Sequence, residues 1–517
     1  MAPGMSATLV LNGTALRPDH VVAVAHGARV VLGGEARRSM AGSAHAFGAD
    51  TGVLERKRGQ LLGRDAAPAL ADPEGFILSH CSAVGAPLPV PIVRALIVCR
   101  ANVLAVGASG VRPETVQAML DLLNAGVTPV VPSQGSVGAA GDLAPLAQVA
   151  RVLCGLGGAA ILPDGARVDR VDLAAHGLTP VRPTPKEALS LINGATLTSA
   201  LAAVAVHRAQ RVRDALVTAC AMTMEALRAD LRCLSPGGIA LRGHPGGIRV
   251  ARELRAMLAG SELAYAGRAP DPFSLRAAPA VLGALTDAID HAYAIVVREL
   301  NGACDNPIWI EDEGVVEVGN FHGAPVALAL DYLRAAVTQA VTQSERRTYR
   351  LCTGHLAGEL PSFLVEGTGL NSGLMLAQYT AASLASECKG LSHPAVVDSI
   401  PTVQHHEDHV SMGPIAGRLT LRLLENAADI AGIEALFAAQ ALDFRRAGIR
   451  FSAGERIVEA PLAGAPGVER ARKVVREQVA HWDDDQILEP CLSAVGALVR
   501  AGRLGQDASA TSNVEKW

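Results

Sequence analysis

The stretch that decides the fold is Gly135-Ser136-Val137-Gly138-Ala139-Ala140-Gly141-Asp142-Leu143-Ala144-Pro145-Leu146. It closes a glycine-rich loop, residues 132–142, and opens an apolar, helix-like sequence that continues to Leu156. Glycine interrupts regular structure because it adopts backbone conformations that other residues rarely reach. The stretch therefore predicts a tight loop that leads directly into a helix.

Beyond Pro185 the chain consists mainly of long segments rich in Ala, Leu, Arg and Glu, separated by short Gly/Pro breaks. The clearest of them are residues 196–231, 279–300, 324–351, 373–390 and 412–441. Strand signals are sparse, and only 3% of the residues are aromatic. This pattern predicts an all-α protein. We expect an N-terminal region (1–185) that carries the loop, a long-helix bundle (186–504) and a flexible tail (505–517).

The amino-acid composition limits the classes of partner that the protein is expected to bind. The 517 residues include 46 basic and 50 acidic ones, a net charge of −4, so nothing indicates nucleic acid or an anionic membrane. Nine cysteines without a CxxC spacing, and no visible secretion signal, predict reduced thiols and a cytoplasmic protein. Two uncharged stretches, residues 188–206 and 367–386, contain too many polar groups for lipid and predict helices buried in a bundle or oligomer.

Further motifs follow the loop or precede it in a fixed order. They are Ser79-His80, Leu191-Ile192-Asn193-Gly194, Phe273-Ser274-Leu275-Arg276, Asp305-Asn306-Pro307, Gly319-Asn320-Phe321-His322-Gly323 and Glu407-Asp408-His409-Val410-Ser411-Met412. Together with the loop they resemble the aromatic amino acid ammonia-lyases and aminomutases, especially the histidine-specific branch, over about residues 9–500. The resemblance implies a long-helix bundle of the histidine ammonia-lyase/fumarase type. It also implies a homotetramer in which three subunits build each active site.

The resemblance implies roles for individual residues. His80 lies on the substrate side, Asn193 beside the cofactor, and Arg276 holds the substrate carboxylate, a task that suits a guanidinium fork. Asn306 and Glu407 belong to the same pocket, which His406 joins in place of a glutamine. We expect His80, Glu407 and Asn193 to be catalytic, and Arg276, Asn306, Phe47, Phe273 and His406 to contact an amino-acid-like substrate.

The cofactor loop departs from the family pattern. In that family an Ala-Ser-Gly tripeptide cyclises and the serine loses its hydroxyl, which produces a methylidene-imidazolone. Here the tripeptide is Ala139-Ala140-Gly141, and a methyl side chain has no hydroxyl to lose. From Ala140 the sequence predicts that this cofactor is absent.

Two tyrosines of the family are also replaced. Phe47 stands where the family has a tyrosine base, and Phe273 stands where a second tyrosine lies by the cofactor. Each replacement keeps the ring and deletes the group that transfers protons. A designed Ser-to-Ala exchange would explain Ala140 alone, whereas a divergent homologue also explains Pro270 and His406.

Three hypotheses follow. The first is a cofactor-free enzyme that performs acid–base chemistry on an amino acid or a derived carboxylate. The second is a non-catalytic binding or partner subunit, and the third is an ammonia-lyase or aminomutase inactivated at the cofactor serine. The run His405-His406-Glu407-Asp408-His409 has metal-ligand residue types but lacks the His-Glu-x-x-His order, so no metal is predicted.

Overall fold

A computed structural model describes residues 8–49, 72–264, 271–403, 406–452 and 455–505. The α-helices are, in chain order, α1 (Pro18–Ala25), α2 (Gly34–Ala49), α3 (Pro73–Ser79), α4 (Val90–Ala105), α5 (Pro113–Asn124), α6 (Leu143–Leu153), α7 (Pro185–Ile192), α8 (Thr196–Ala226), α9 (Pro236–Ala240), α10 (Pro245–Leu258), α11 (Phe273–Arg276), α12 (Ala278–Leu300), α13 (Ala324–Cys352), α14 (Met375–Leu391), α15 (Gly413–Arg446), α16 (Pro466–Arg476) and α17 (Glu489–Arg500). The helical class predicted from the sequence is confirmed.

Strands are short and pair locally. They are β1 (Leu9–Leu11), β2 (Val30–Leu32), β3 (Val84–Pro87), β4 (Thr128–Pro129), β5 (Pro132–Gln134), β6 (Ala160–Ile161), β7 (Arg167–Val168), β8 (Ile308–Ile310), β9 (Gly314–Val316), β10 (Ile449–Ser452) and β11 (Glu455–Val458). β1 pairs with β2 in parallel, whereas β3–β5, β4–β6–β7, β8–β9 and β10–β11 are antiparallel.

The chain forms two compact units. Unit 1 comprises the described residues within Met1–His207, Ala292–Asp331 and Pro394–Arg418, and unit 2 comprises those within Arg208–His291, Tyr332–His393 and Leu419–Trp517. Because each unit draws on separate stretches of chain, contacts group the residues differently from the sequence division at 185 and 504, which stays a prediction.

The core of unit 1 lies around α4. From Ile92 to Ala105 every residue of this helix is buried, including Arg94 and Arg100. A helix that is apolar on nearly all sides is covered on all sides. Its two arginines satisfy backbone carbonyls: Arg94 donates to Val24 and Leu123, and Arg100 donates to Ser190.

Unit 2 is organised around a buried ion pair. Arg347 of α13 donates to both carboxylate oxygens of Glu434 of α15, and neither side chain is exposed. Ser344 and Thr223 donate their hydroxyls to the same carboxylate, which is thereby fully hydrogen-bonded. A buried charge is tolerated only when it is paired in this way.

Helix α15 ends at Arg446, five residues later than predicted. The other predicted long helices agree with the structure within two residues, except at the end of α8. That helix stops at Ala226 rather than at Leu231, because Arg228 adopts a left-handed conformation with φ of 56°. The uncharged stretch 188–206 is almost wholly buried, as predicted. In residues 367–386, Leu376 and Tyr379 are exposed in the single chain, so the predicted burial in a bundle or oligomer stays a prediction there.

Helix α12 is the one described helix that is long and apolar enough to cross a membrane by length and composition alone. Only 44% of its most apolar window is buried inside the protein. A core helix of a large protein has the same length and composition, so this feature by itself is weak evidence for a membrane span.

Candidate active site

The loop that the sequence singles out turns sharply at three residues of unit 1. Gly138, Ala140 and Gly141 have φ values of 74°, 48° and 85°. Left-handed backbone is ordinary for glycine but strained for alanine, so the surroundings must hold Ala140 in place. Gly141 is required for another reason, because a Cβ there would lie 2.0 Å from the backbone nitrogen of Gly194.

The segment around Asn193 and Gly194 forms the floor of the loop. The Nδ2 atom of Asn193 donates to the carbonyl oxygen of Ala140 at 3.0 Å, and the backbone nitrogen of Asp142 donates to the Gly194 carbonyl at 2.9 Å. Asn193 ends helix α7 and is buried, and its Oδ1 atom has no hydrogen-bond partner among the described residues. The structure therefore brings Asn193 and residues 139–141 together, as the resemblance implies.

Asp142 anchors the loop from beneath. Its carboxylate is wholly buried and accepts from the Ser136 hydroxyl at 2.7 Å and from the backbone nitrogen of Thr198, in the first turn of α8, at 2.9 Å. Ser136 in turn accepts from the backbone nitrogen of Gly138. Burial raises the pKa of Asp142 to about 6, although these hydrogen bonds oppose the shift.

A second acid, the half-buried Glu299, interacts with Asp142. Burial raises the pKa of Glu299, near the end of α12, to about 7, and the negative charge of Asp142 contributes to the shift. Sequence reasoning omitted both acids from the predicted site. Asp142 stood within the quoted motif and could have been noticed, but Glu299 gave no local signal.

Two further segments hold the loop from the opposite side. The Ser411 hydroxyl and the Gly323 nitrogen both donate to the carbonyl oxygen of Gly138, at 2.8 and 3.3 Å. The backbone nitrogen of Met412 donates to Val137 at 2.8 Å. These donors belong to the motifs at 319–323 and 407–412, so the resemblance follows real spatial proximity.

His80 is placed at the end of α3 with one ring nitrogen occupied. Its Nδ1 atom lies 2.8 Å from the carbonyl oxygen of Phe76, which assigns the ring proton to Nδ1. The Nε2 atom is then the ring's proton acceptor. His80 is half-buried, so this nitrogen is available to act as a base.

The glutamate–histidine segment is less enclosed. Glu407 is half-buried and accepts from the Thr402 hydroxyl at 2.5 Å, whereas His406 is exposed. No cluster of three or more His, Cys, Asp or Glu side chains suited to a metal occurs among the described residues, which do not include His405. The absence of a metal stays a prediction.

Phe47 and Asn306 lie in the interior of unit 1. The Phe47 ring is buried and lies 4.9 Å from the ammonium of Lys186, which pairs with the buried Asp305 at 3.1 Å. The Oδ1 atom of Asn306 accepts from the backbone nitrogen of Val318. Both side chains therefore have structural contacts in the chain, besides the substrate contacts that the sequence predicts for them. Pro270 lies outside the described residues.

Arg276 and Phe273 occupy the short helix α11 of unit 2. The Arg276 guanidinium stacks on the Phe273 ring at 4.7 Å, and 70% of Phe273 is exposed. Gln343 and Arg347 of α13 donate to the backbone carbonyls of Phe273 and Ser274, which fixes the short helix. The arrangement presents an ordered guanidinium at the surface of the single chain, suited to a carboxylate.

A cleft of about 360 Å³ lies elsewhere in unit 1. Arg112, Asp121, Leu153 and Arg182 are among its lining residues, which include none of the predicted site residues.

The sequence family model described as aromatic amino acid lyase matches residues 16–477. The chain belongs to the aromatic amino acid lyase family. It is 44% identical to a histidine ammonia-lyase of Anaeromyxobacter sp. (strain K), with 96% of this chain and 99% of that relative covered. A histidine ammonia-lyase of Gloeobacter violaceus is 43% identical, with 96% of each chain covered.

Solved structures of this lyase family agree with the fold. The histidine ammonia-lyase from Trypanosoma cruzi superimposes with a TM-score of 0.87 and 35% identity, over 98% of this chain and 95% of that one. The tyrosine aminomutase from Streptomyces globisporus gives a TM-score of 0.87 and 30% identity, over 98% of this chain and all of that one.

The predicted absence of the methylidene-imidazolone is contradicted by these relatives. They are named histidine ammonia-lyases, a family that uses this cofactor, and nothing in the structure shows the group to be absent. The left-handed turn and the Gly141–Gly194 contact fit a cyclised tripeptide, but the methyl group of Ala140 does not supply the family's hydroxyl.

Proposed function

We propose that this member of the aromatic amino acid lyase family acts on an amino acid, histidine or a close relative, and cleaves its carbon–nitrogen bond. The names of the relatives support the reaction class, and His80, as in the histidine-specific branch, supports an imidazole-bearing substrate. The observation that carries the proposal is the hydrogen bond from Asn193 to the Ala140 carbonyl, which builds the family's loop floor in this chain.

The reaction requires a proton acceptor and a carboxylate anchor. Elimination removes a proton from Cβ, the C–H electron pair becomes the new double bond, and the protonated amino group (–NH3+) leaves as neutral ammonia with the electrons of the broken Cα–N bond. The Nε2 atom of His80 or the carboxylate of Glu407 would accept the proton. Arg276 would hold the substrate carboxylate through two parallel hydrogen bonds.

A second candidate is the same scaffold without turnover, as an inactivated lyase or a partner subunit that binds an amino acid. One observation favours it: residue 140 carries a methyl group where the family cyclisation uses a hydroxyl. In this alternative the anchor at Arg276 and the loop floor remain, so an amino acid still binds.

Incubation with a panel of amino acids, followed by mass spectrometry of the products, separates the two candidates. Equal amounts of ammonia and an unsaturated acid from the unmodified chain support the enzyme. Binding without turnover, together with turnover by the Ala140→Ser variant, supports the second candidate. If no amino acid of the panel binds to or reacts with either protein, both candidates are contradicted.

We also propose a homotetramer. Large apolar side chains of unit 2 are exposed in the single chain, including Leu370, Leu376 and Tyr379, and Leu376 and Tyr379 lie on the same face of α14. Contact with further copies would cover them, as such patches commonly mark protein interfaces. Light scattering should give four times the chain mass, and a monomer would contradict the proposal.

A cytoplasmic location is proposed from the thiols. All nine cysteines are free, and burial raises the pKa of several of them, such as Cys154 and Cys304, to about 12. Reduced thiols are typical of a reducing compartment. Cell fractionation with an antibody against the chain tests the location, and recovery outside the cytoplasm would contradict it.

A further inference from the structure

The two segments that hold the loop at Gly138 also touch each other. The Nε2 atom of His322 lies 3.1 Å from the Nδ1 atom of His409, and the two rings stack with centroids 5.2 Å apart and an interplanar angle of 19°. His322 precedes α13 and His409 precedes α15. One side-chain contact thus joins the segments that donate to the carbonyl oxygens of Gly138 and Val137.

The hydrogen-bond network assigns the protons of this pair. The backbone nitrogen of Ala324, the first residue of α13, donates to the Nδ1 atom of His322 at 3.3 Å. An N–H group in the first turn of a helix has no partner within the helix, so the imidazole satisfies it. With Nδ1 as acceptor, the proton of neutral His322 is on Nε2, which faces two acceptors of His409, the ring Nδ1 atom at 3.1 Å and the backbone carbonyl oxygen at 3.3 Å.

The direction of the hydrogen bond between the two rings gives each histidine a different structural role. His322 caps the start of α13 and donates across to the second segment, while His409 supplies the acceptor. Each histidine lies within three residues of a hydrogen bond to the loop. Gly323 follows His322 and donates to the loop, and Ser411 and Met412 follow His409 and do the same. Loosening of the ring contact therefore acts on the residues that fix the loop.

We infer that His322 and His409 are positioning residues, which tie together the two segments that hold the loop at residues 137–141. They act on the loop through Gly323, Ser411 and Met412 and are not assigned any contact with the substrate. The inference rests on the proposed function only in treating this loop as part of the active site.

Hydrogen exchange followed by mass spectrometry tests this inference without any need for turnover. In the His322→Leu variant the amides of Gly323 and Met412 should exchange roughly 5- to 30-fold faster, as expected for the loss of a local constraint. The increase should be smaller in the His409→Leu variant, because the backbone carbonyl of residue 409 still accepts from His322. The His409→Asn variant keeps an acceptor near the Nδ1 position and should restore most of the protection. His393→Leu, an exposed histidine of unit 2, is the matched control and should leave these amides unchanged.

A double-mutant cycle separates positioning from general loss of structure. If the two rings act through each other, the double Leu variant should exchange no faster than the His322→Leu variant. Additive increases, or unchanged exchange at Gly323 and Met412 in the single variants, would overturn the inference. Failure of the proposed function is recognised separately, because it appears as lost amino acid binding in the unmodified chain, whose exchange pattern is unaffected.

Discussion

The loop of unit 1 and the arginine of unit 2 solve different physical problems. The loop is held on every side by contacts within one unit, from Asn193 and Asp142 below and from Gly323 and Ser411 on the other side. Among the described residues, the Phe273 ring and the anchored backbone of α11 order Arg276, which is exposed. The difference teaches that the loop conformation belongs to folding, whereas the guanidinium is available for binding.

The variant with the largest expected effect on this contrast is Gly141→Ala. The left-handed φ would cost about 1–2 kcal/mol, and displacement of Gly194 would add about 1–3 kcal/mol to the loss of unfolding free energy. Gly165→Ala is a matched control, since Gly165 has a similar φ of 86° but open space around a new Cβ. Urea denaturation should show the larger loss for Gly141→Ala. Equal losses would contradict a loop that is packed against its floor.

The second test concerns the arginine. Arg276→Ala should weaken the binding of an amino acid roughly 10- to 100-fold, because a charge-assisted pair with the carboxylate is lost. Its unfolding midpoint should stay unchanged, because the side chain is exposed. Calorimetric titration and thermal unfolding measure the two quantities. Arg242→Ala, another exposed arginine of unit 2, should affect neither. If Arg276→Ala lowered the unfolding midpoint but left the affinity for the amino acid unchanged, Arg276 would serve folding and not binding, which would contradict the contrast.

The third test uses Glu299, the acid whose pKa is raised in part by the charge of Asp142. The pKa of Glu299 is about 7 in the folded protein against an ordinary value of 4.5, so the folded state binds this proton more tightly than the unfolded state. This group therefore lowers stability as pH rises from about 4.5 to about 7, and the penalty is complete above that range. Glu299→Gln should remove it.

Urea unfolding at pH 5 and at pH 8 measures this effect. The stability of Glu299→Gln relative to the unmodified chain should increase between the two values. A constant difference would mean that Glu299 is well hydrated, and that the region beneath the loop is less shielded than the structure indicates.

The smallest expected effect is at Ala140. Glycine relieves its left-handed strain but increases the freedom of the unfolded chain, so Ala140→Gly should raise the unfolding free energy by at most about 1 kcal/mol. Ala139→Gly, at a neighbour without a left-handed φ, should lower it instead. Thermal unfolding compares the two variants. Destabilisation by both would indicate that the alanine methyl group makes a contact that outweighs the strain.

The sequence predicted the long helices well because their apolar segments are bounded by Gly and Pro. It placed the end of α8 five residues too late, because no local sequence signal indicates the left-handed conformation of Arg228. Motif order also predicted that Asn193 lies against residues 139–141. The contacts of Asp142 with Thr198, and of His322 with His409, join residues 56 and 87 positions apart, and only the folded chain reveals them.

Phe47 shows a different limit of prediction. Its place in the motif implies a substrate contact, which stays a prediction, and the structure adds a contact of its ring with Lys186 in the interior of unit 1. Burial of an aromatic ring depends on the final packing of several elements, which one sequence does not specify. For residues 367–386 the sequence leaves burial in a bundle and burial in an oligomer open, because an apolar surface that would meet another copy resembles an apolar core.

The most direct test of the central claim is a crystal structure of the chain with histidine bound. The proposed function predicts the histidine carboxylate at hydrogen-bond distance, roughly 3 Å, from the guanidinium of Arg276. Histidine at saturating concentration that leaves Arg276 unliganded, or that occupies only the cleft beside Arg112, would contradict it.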